Sequence, residues 1–224
     1  GITVGNAMRR TLLSSLTGAA IVSVRFKNVL HEFSTIAGVA GEDVPEIIMN
    51  LQRLRFNLKT DGAVTLKLDV QGEGAVTAEN FEEHSECEVL NKDQYICSIN
   101  DDADFSMEVT IAPGRGYKMA DQNKKESDPI GVIAVDANFS PVTKVNFSVE
   151  KTRVGQRIDY DRLVLEIWTD GSIKPDDALA YSAKLLQNHF QVFINFNGDL
   201  AEPEALTVED SEKKRIRELL KMRV

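Results

Sequence analysis

Cysteine is scarce in this sequence, and long apolar runs are absent from it. Only two of the 224 residues are cysteines, and neither Cys87 nor Cys97 belongs to a CxxC pair or a His/Cys cluster. We therefore expect two reduced thiols of a cytosolic protein. No stretch reaches the roughly 18 apolar residues of a membrane span, and no signal peptide is visible. Neither a disulfide-rich domain nor a membrane protein is predicted.

Positive charge is also in short supply. Lysine and arginine total 26 against 35 acidic residues, which gives a net charge of −9. An acidic chain repels phosphate, so general nucleic-acid binding is not expected unless a local basic patch overrides the bulk charge. The run EKKRIR near the C-terminus is interleaved with glutamate and predicts a solvated helix face instead. Residues 79–108, with ten acidic residues and one lysine, predict a solvated acidic face in a β-rich subdomain.

Residues for catalysis are few and scattered. His31 and Glu32 could form a metal or acid/base pair, but His84 and His189 stand at distant positions, and such a site needs several convergent groups. The stretch GRGY at 114–117 resembles a glycine-rich phosphate loop, yet it lacks the longer spacing and no helical pattern follows it. We interpret it as a tight turn between strands. No catalytic residue, metal or cofactor is predicted.

The remaining pattern mixes helices and strands and indicates the α+β class. A helix at the start is expected to stop at Gly18, and a second helix is expected from Glu42 or Asp43. Residues 112–131 are expected to form a long polar connection. Near the end, the strands VNFSVE and RLVLEIWTDG enclose about a dozen polar residues and predict a long-looped hairpin. A clear helix follows, with Pro175 in its first turn.

The first helix carries two apolar faces. One stripe recurs at steps of three and four residues and comprises Val4, Ala7, Met8, Leu12 and Leu16. Off that stripe lie Arg9, Arg10 and, one turn on, Leu13. Two arginines on a surface helix are ordinarily solvated, but an apolar residue flanked by arginines is the composition expected of an interface. We therefore predict a helix packed between two partners.

The last clear helix carries a narrow apolar seam. Leu179, Ala183, Leu186 and Phe190 follow one another at steps of four, three and four, which is typical of a helix that packs on another helix. The composition then becomes charged, and we expect residues 194–224 to begin a linker, with a short helix over 211–223. The uncapped ends of the sequence suggest a piece of a longer protein.

Several long motifs resemble the N-terminal domain of bacterial RNA polymerase alpha subunits. They are GNAMRRTLLSSLTGAA, VLHEFSTIAGVAGEDVPEIIMNL, GRGY and IGVIAVDANFSPVTKVNFSVEKTRVGQRIDYDRLVLEIWTDGSIKPDDALAYSAKLLQNH, in the family's order. The resemblance covers nearly the whole chain. It departs from the family in Met8, where leucine is usual, and in an extra residue before EDV. The family's first strand and its DNA- and activator-binding C-terminal domain are not represented.

The resemblance implies a homodimer that scaffolds the beta and beta-prime subunits of a bacterial, cytoplasmic and nucleoid-associated polymerase, without itself being catalytic. It also implies a dimerisation subdomain of two helices and a hairpin, residues 1–16 and 145–193, interrupted by a β-rich insert at 17–144. The two apolar stripes then predict a dimer interface of Val4, Met8, Leu12, Leu179, Ala183, Leu186 and Phe190. The expected beta-binding surface is Arg9, Arg10 and Leu13, extended through the resemblance by His31, Glu32 and Glu42.

Alternatives remain at this stage. His31 could be a buried structural histidine rather than an interface residue. The family is also compatible with a plastid-encoded alpha subunit. Outside the family, the chain could be a β-rich binding domain, which would require a concave apolar pocket with convergent polar groups, or a segment that binds DNA directly, which would bind most strongly at low salt.

Overall fold

A computed structural model describes residues 1–29, 31–100, 104–154 and 157–194 of the chain. The chain divides into two units, Gly1–Gln187 and Asn188–Val224, and the predicted linker lies outside the described residues after Ile194. Helices and strands are mixed along the described ranges, so the predicted α+β class is confirmed. None of the described helices combines the length and apolar character needed to cross a bilayer.

Four α-helices occur in the described ranges: α1 (Ile2–Ser14), α2 (Val44–Leu51), α3 (Ala120–Asn123) and α4 (Pro175–Gln191). The first seven strands are β1 (Thr17–Phe26), β2 (Phe56–Leu58), β3 (Val64–Gln71), β4 (Gly74–Thr77), β5 (Cys87–Val89), β6 (Tyr95–Ile99) and β7 (Asp104–Arg115). The other five are β8 (Tyr117–Lys118), β9 (Val132–Ala134), β10 (Ala137–Asn138), β11 (Val142–Val154) and β12 (Arg157–Thr169).

A four-stranded sheet organises the middle of the chain. Its order is β3-β7-β1-β9, and each neighbouring pair is antiparallel. The alternation of Val64, Leu66 and Leu68, all buried, places one face of β3 in the core, as a half-buried strand requires. The short pairs β2-β5 and β4-β6 and helix α2 complete the larger hydrophobic core, which runs from Ile21 to Val135.

A second, smaller core lies between the two ends of the first unit. Its buried members come from α1 and the residues after it, from the hairpin β11-β12 and from α4, and they are Leu12, Leu16, Val142, Val145 and Ala178. Residues 1–187 form one compact unit, so the division into a split part and an insert, with the boundaries 1–16, 17–144 and 145–193, stays a prediction.

Local signals explain how α2 begins. Asp43 accepts a hydrogen bond from the Glu46 amide at 3.1 Å, and the Glu46 carboxylate accepts one from the Asp43 amide at 3.4 Å. This capping box satisfies two amides that have no partner inside the helix. The predicted start of this helix is therefore confirmed. The side chains of Ile47 and Leu51 point inward, as expected.

Three local predictions are wrong. Gly18 does not end the first helix, because α1 stops at Ser14 and Gly18 lies in β1. The polar connection after residue 112 is shorter than predicted, because residues 112–115 extend β7 and β8 and α3 follow. The hairpin has no loop of a dozen residues, because the ladder continues to the pair Val154 and Arg157. Backbone pairing does not require apolar side chains, so polar residues extend these strands.

The structure confirms two other expectations. Cys87 and Cys97 are free thiols, both buried in the larger core. Burial raises the pKa of the Cys87 thiol to about 11 and that of Cys97 to about 12, so both are inert, protonated side chains. The stretch GRGY is a turn, with Gly116 at φ +64° between β7 and β8, a conformation that glycine adopts at little cost.

Candidate interaction surfaces

Part of the predicted apolar stripe of α1, including Met8 and Leu12, is buried where α1 packs on the protein's own hairpin. Met8 is 7% exposed and Leu12 is fully buried. Gly5, one turn before Met8, lies so close to Phe147 and Leu163 that an added Cβ would come within 2.6 Å and 2.9 Å of their side chains. Leu12 therefore has no surface left for a second chain, and Met8 has almost none. The prediction that Met8 and Leu12 form dimer contacts is therefore wrong, because the hairpin already covers both side chains.

The other face of α1 is open. Arg9 and Arg10 are exposed, and within the described part of the chain neither guanidinium forms an ion pair or a side-chain hydrogen bond. Leu13 is half-buried and packs against the smaller core. Its carbonyl accepts a hydrogen bond from the Ser140 hydroxyl at 3.2 Å. The fold thus fixes the helix but leaves the two arginines beside a partly accessible leucine.

Helix α4 separates its two sides clearly. Ala178 and Ser182, one turn apart, are fully buried against the protein's own chain. The seam residues lie on another side of the helix, where Leu179 and Leu186 are half-buried and Ala183 is exposed. Phe190, which belongs to the second unit, is 58% exposed. Val4 of α1 is 58% exposed as well. The residues that the structure describes therefore leave the predicted seam mostly uncovered.

The loop that follows β1 is divided between exposed and anchored residues. His31 and Glu32 are exposed, and His31 Nδ1 lies 3.1 Å from the Ser34 hydroxyl. This exposure favours the interface interpretation of His31 over a buried structural histidine. Two hydrogen bonds anchor the later loop residues to β6 and its end: Ala40 donates to the Ser98 carbonyl, and Asn100 donates to the Gly38 carbonyl.

Glu42 is occupied within the chain. Its carboxylate accepts hydrogen bonds from the Tyr95 hydroxyl and, at 3.3 Å, from the Ser98 amide. The Tyr95 hydroxyl also lies 2.7 Å from the Ser98 hydroxyl. Burial and the hydrogen bond to Glu42 raise the pKa of Tyr95. Glu42 thus ties the loop to β6, a role that its sequence position did not indicate.

In the part of the chain that the structure describes, one polar cleft differs clearly from a typical small-molecule site. A cleft of about 560 Å³ is lined mainly by polar and acidic side chains, among them Glu79, Glu82 and Glu88. That lining is unlike the apolar pocket of a typical ligand site. Among the residues that the structure describes, no three His, Cys, Asp or Glu side chains are grouped as metal ligands.

Comparison with known proteins decides the family. Residues 24–140 match a family model described as the RNA polymerase Rpb3/RpoA insert domain. A DNA-directed RNA polymerase subunit alpha of Carboxydothermus hydrogenoformans is 49% identical over 214 residues, which are 96% of this chain and 68% of the relative. The chain belongs to the RNA polymerase alpha-subunit family. The alpha subunit of Pelobacter propionicus is also 49% identical, over 97% of this chain and 64% of its own length.

Membership in the alpha-subunit family confirms the predicted family and its place in transcription. The chain spans about two thirds of the length of these relatives. The insert matched at 24–140 falls within the range 17–144 expected from the sequence. Both relatives are bacterial, and the plastid alternative stays a prediction. As an alpha-subunit family member, the chain belongs to a polymerase complex of several subunits.

Proposed function

We propose that this chain is a non-catalytic scaffold that forms a homodimer and binds the beta and beta-prime subunits of a bacterial RNA polymerase. The observation that carries the proposal is the separation of accessible surfaces. The α4 seam and the arginine face of α1 are both open, while the chain's own core covers a different side of each helix. In this proposal the chain works in the bacterial cytoplasm at the nucleoid, where transcription takes place.

The dimer is supported by the α4 seam. Leu179 and Leu186 each retain accessible surface, and the exposed Ala183 between them allows another helix to approach closely. Val4 and Phe190, each 58% exposed, add apolar area. Burying a leucine side chain contributes roughly 1.5–3 kcal/mol, and each residue counts twice in a symmetric dimer. The interface so revised no longer includes Met8 or Leu12.

Leu186→Glu tests this dimer. Leu186 is half-buried already, so losing its remaining surface from both copies removes about 1.5–3 kcal/mol and weakens association by roughly ten- to a hundredfold, before the cost of burying a charge is added. Lys184→Glu is the matched control, because it also adds negative charge but lies about 200° around the helix from Leu186. Sedimentation velocity at micromolar concentration should show monomers only for Leu186→Glu, with unchanged circular dichroism. Dimeric Leu186→Glu would contradict the proposal.

The proposed beta-binding surface is supported by two arginine side chains of α1 that the fold does not use. Arg9 and Arg10 contribute no described ion pair or side-chain hydrogen bond to the fold, so an interface role does not compete with a structural one. An arginine fork fits a carboxylate or backbone carbonyls, and a neighbouring leucine suits an apolar pocket. His31 and Glu32 extend the proposed surface as exposed side chains. Glu42 contributes to this surface indirectly, because its hydrogen bonds to Tyr95 and Ser98 fix the position of the loop.

Direct DNA binding is not part of the proposed function. The net charge of −9 opposes a phosphate backbone. In addition, Arg25, Lys27 and Lys67 on the central sheet are already paired with carboxylates. Electrophoretic mobility measured at low salt, where electrostatic attraction is strongest, should show no shift of duplex DNA. A shift that disappears as salt is added would contradict this part of the proposal.

A further inference from the structure

An ion pair joins the two hydrophobic cores of the first unit. Arg55 stands between Leu54 and Phe56, whose buried side chains belong to the larger core. Asp170 follows β12 and precedes Ile173, which packs against the smaller core. Arg55 Nε lies 3.7 Å from Asp170 Oδ2. The pair therefore connects the β-rich middle of the chain to its hairpin and last helix.

Arg55 is held on the side of the larger core before it reaches Asp170. Its guanidinium donates to the carbonyls of Leu54 at 2.9 Å and Gln52 at 3.1 Å, just past the C-terminal end of α2. A cation is favoured there by the helix dipole. The Arg55 amide donates to Asn91 Oδ1 at 2.8 Å. These bonds restrict the arginine to one position.

Asp170 is held equally well on the side of the smaller core. Its Oδ1 accepts from the Ser172 amide at 3.0 Å and from the Ser172 hydroxyl at 2.5 Å. Its own amide donates to the Pro141 carbonyl at 3.0 Å. These contacts occupy Oδ1 and leave Oδ2 facing Arg55. The Asp170 side chain is only 13% exposed, so solvent screens the pair less than it screens a fully exposed one.

Other ion pairs of the described residues stay within one part of the fold. Lys67 and Glu108 lie on neighbouring strands of the four-stranded sheet. Glu150 and Arg162 are register partners within the hairpin, with their charged atoms 3.9 Å apart. Pairs of that kind cannot hold one core against the other. The Glu150 and Arg162 pair therefore provides a control of similar chemistry for the connection made by Arg55.

We propose that Arg55 and Asp170 are positioning residues that fix the β-rich middle of the chain against the hairpin and α4. This inference rests on the proposed function, because a scaffold must present its α1 face and its α2 loop region to large partners at a defined angle. Both ends of the pair are anchored by several hydrogen bonds, so little side-chain freedom remains to be lost when the pair forms. Without the pair, the two cores remain folded but their relative angle varies more.

Distance measurement between two spin labels tests this role. Labels at Glu73→Cys, on the exposed turn before β4, and at Lys184→Cys, on an exposed position of α4, report one distance across the two cores. The labelled chain is mixed with an excess of unlabelled chain, so that few dimers carry two labelled copies. The measured distance then lies within one copy. Asp170→Asn preserves the acceptor for Ser172 and removes only the charge. The expected result is a broader distance distribution for Asp170→Asn and for Arg55→Met, a smaller broadening for Arg55→Lys, which keeps the charge but not the planar fork, and no change for the control Arg162→Met.

Capture of the beta subunit provides the second readout. It should fall by up to about fivefold in Asp170→Asn, the most that a partly exposed ion pair supports, and by less in Arg55→Lys, which keeps the positive charge but not the planar fork. Distributions that stay narrow in both charge-removing variants overturn the proposal, whatever beta capture shows. Broader distributions with normal capture overturn the role in assembly. If the unaltered chain fails to capture beta, the proposed function itself is refuted instead, since the distance measurement does not depend on beta.

Discussion

Replacing Gly114 by alanine should destabilise the fold measurably. Gly114 lies in β7 opposite Gly18 of β1, and a Cβ at Gly114 would lie 2.7 Å from Cγ of Phe139 and 2.8 Å from both Cδ atoms. Such distances are well inside van der Waals contact. The Phe139 ring is 2% exposed. Its own carbonyl oxygen lies only 2.1 Å from where a Cβ on Gly18 would stand, so the two glycines together admit this phenylalanine.

The magnitude follows from the crowding. Inserting a methyl group into a well-packed site costs about 1–3 kcal/mol, and the ring cannot retreat freely because it is buried on all sides. For a chain of this size each kcal/mol lowers the melting temperature by about 2–4 °C, so Gly114→Ala should melt about 2–12 °C lower. Circular dichroism during heating, together with urea unfolding, measures both quantities. The backbone at Gly114 does not require a positive φ. The loss of stability therefore measures steric crowding rather than backbone strain.

Two further variants make the reasoning refutable. Gly62→Ala is the control, because a Cβ there meets only the Thr60 hydroxyl, at an ordinary 3.7 Å, and should change stability by no more than about 0.5 kcal/mol. Phe139→Ala removes the Cγ and both Cδ atoms that clash. In that background Gly114→Ala should cost at least about 1 kcal/mol less than in the unaltered chain. If Gly114→Ala melts like Gly62→Ala, or if its cost is the same in the Phe139→Ala background, the packing argument is wrong.

Three other predictions concern the loop, the thiols and the cap of α2. Tyr95→Phe removes the hydroxyl that binds Glu42 and should lower the free energy of unfolding by about 0.5–1.5 kcal/mol in urea titrations; an unchanged midpoint would contradict the role given to this contact. Cys87 and Cys97, with pKa values raised by burial to about 11 and 12, should resist iodoacetamide at pH 8 in the native protein and react once it is unfolded; rapid native labelling would contradict their burial. Asp43→Ala should lower the free energy of unfolding by about 0.5–2 kcal/mol in urea titrations, whereas Asp43→Asn should leave it almost unchanged, since asparagine is an equally good cap. Equal losses in the two variants would contradict the role given to the capping box.

Sequence patterns predicted those elements whose causes are local. The start of α2 is determined by Asp43 and Glu46 within one turn. Helix α4 begins at Pro175 with two acidic residues in its first turn, which is where the missing amide and the dipole favour them. Such signals involve neighbours along the chain, so a single sequence is sufficient to interpret them.

The failures have causes that lie far apart in the sequence. A helical stripe is the same whether it packs on its own chain or on another, so periodicity could not show that Met8 and Leu12 face the hairpin. Gly18 resembles a helix stop, but the reason for glycine there is Phe139, more than a hundred residues away. Glu42 and Tyr95 are 53 residues apart. These contacts arise only when the topology brings distant strands together.

The exposed face of α1 is the part of the site that sequence reasoning placed correctly as accessible. Arg9 and Arg10 are exposed as expected, and Leu13 lies beside them in a half-buried position. Composition was sufficient here because an apolar residue one turn from two arginines is unusual on a purely solvated helix. Whether the beta subunit occupies this face remains a proposal, and so does the second copy expected on α4.

Arg10→Ala tests the central claim that assembly and dimerisation use different surfaces. Purified variant and unaltered chain are each assayed for capture of the beta subunit and, alone, by sedimentation velocity, with Arg162→Ala as an exposed-arginine control from the hairpin. A central interface anchor costs about 2 kcal/mol or more when truncated, so Arg10→Ala should bind beta at least about thirtyfold more weakly while remaining a dimer. Normal capture of beta by Arg10→Ala, or its dissociation into monomers, would contradict the account.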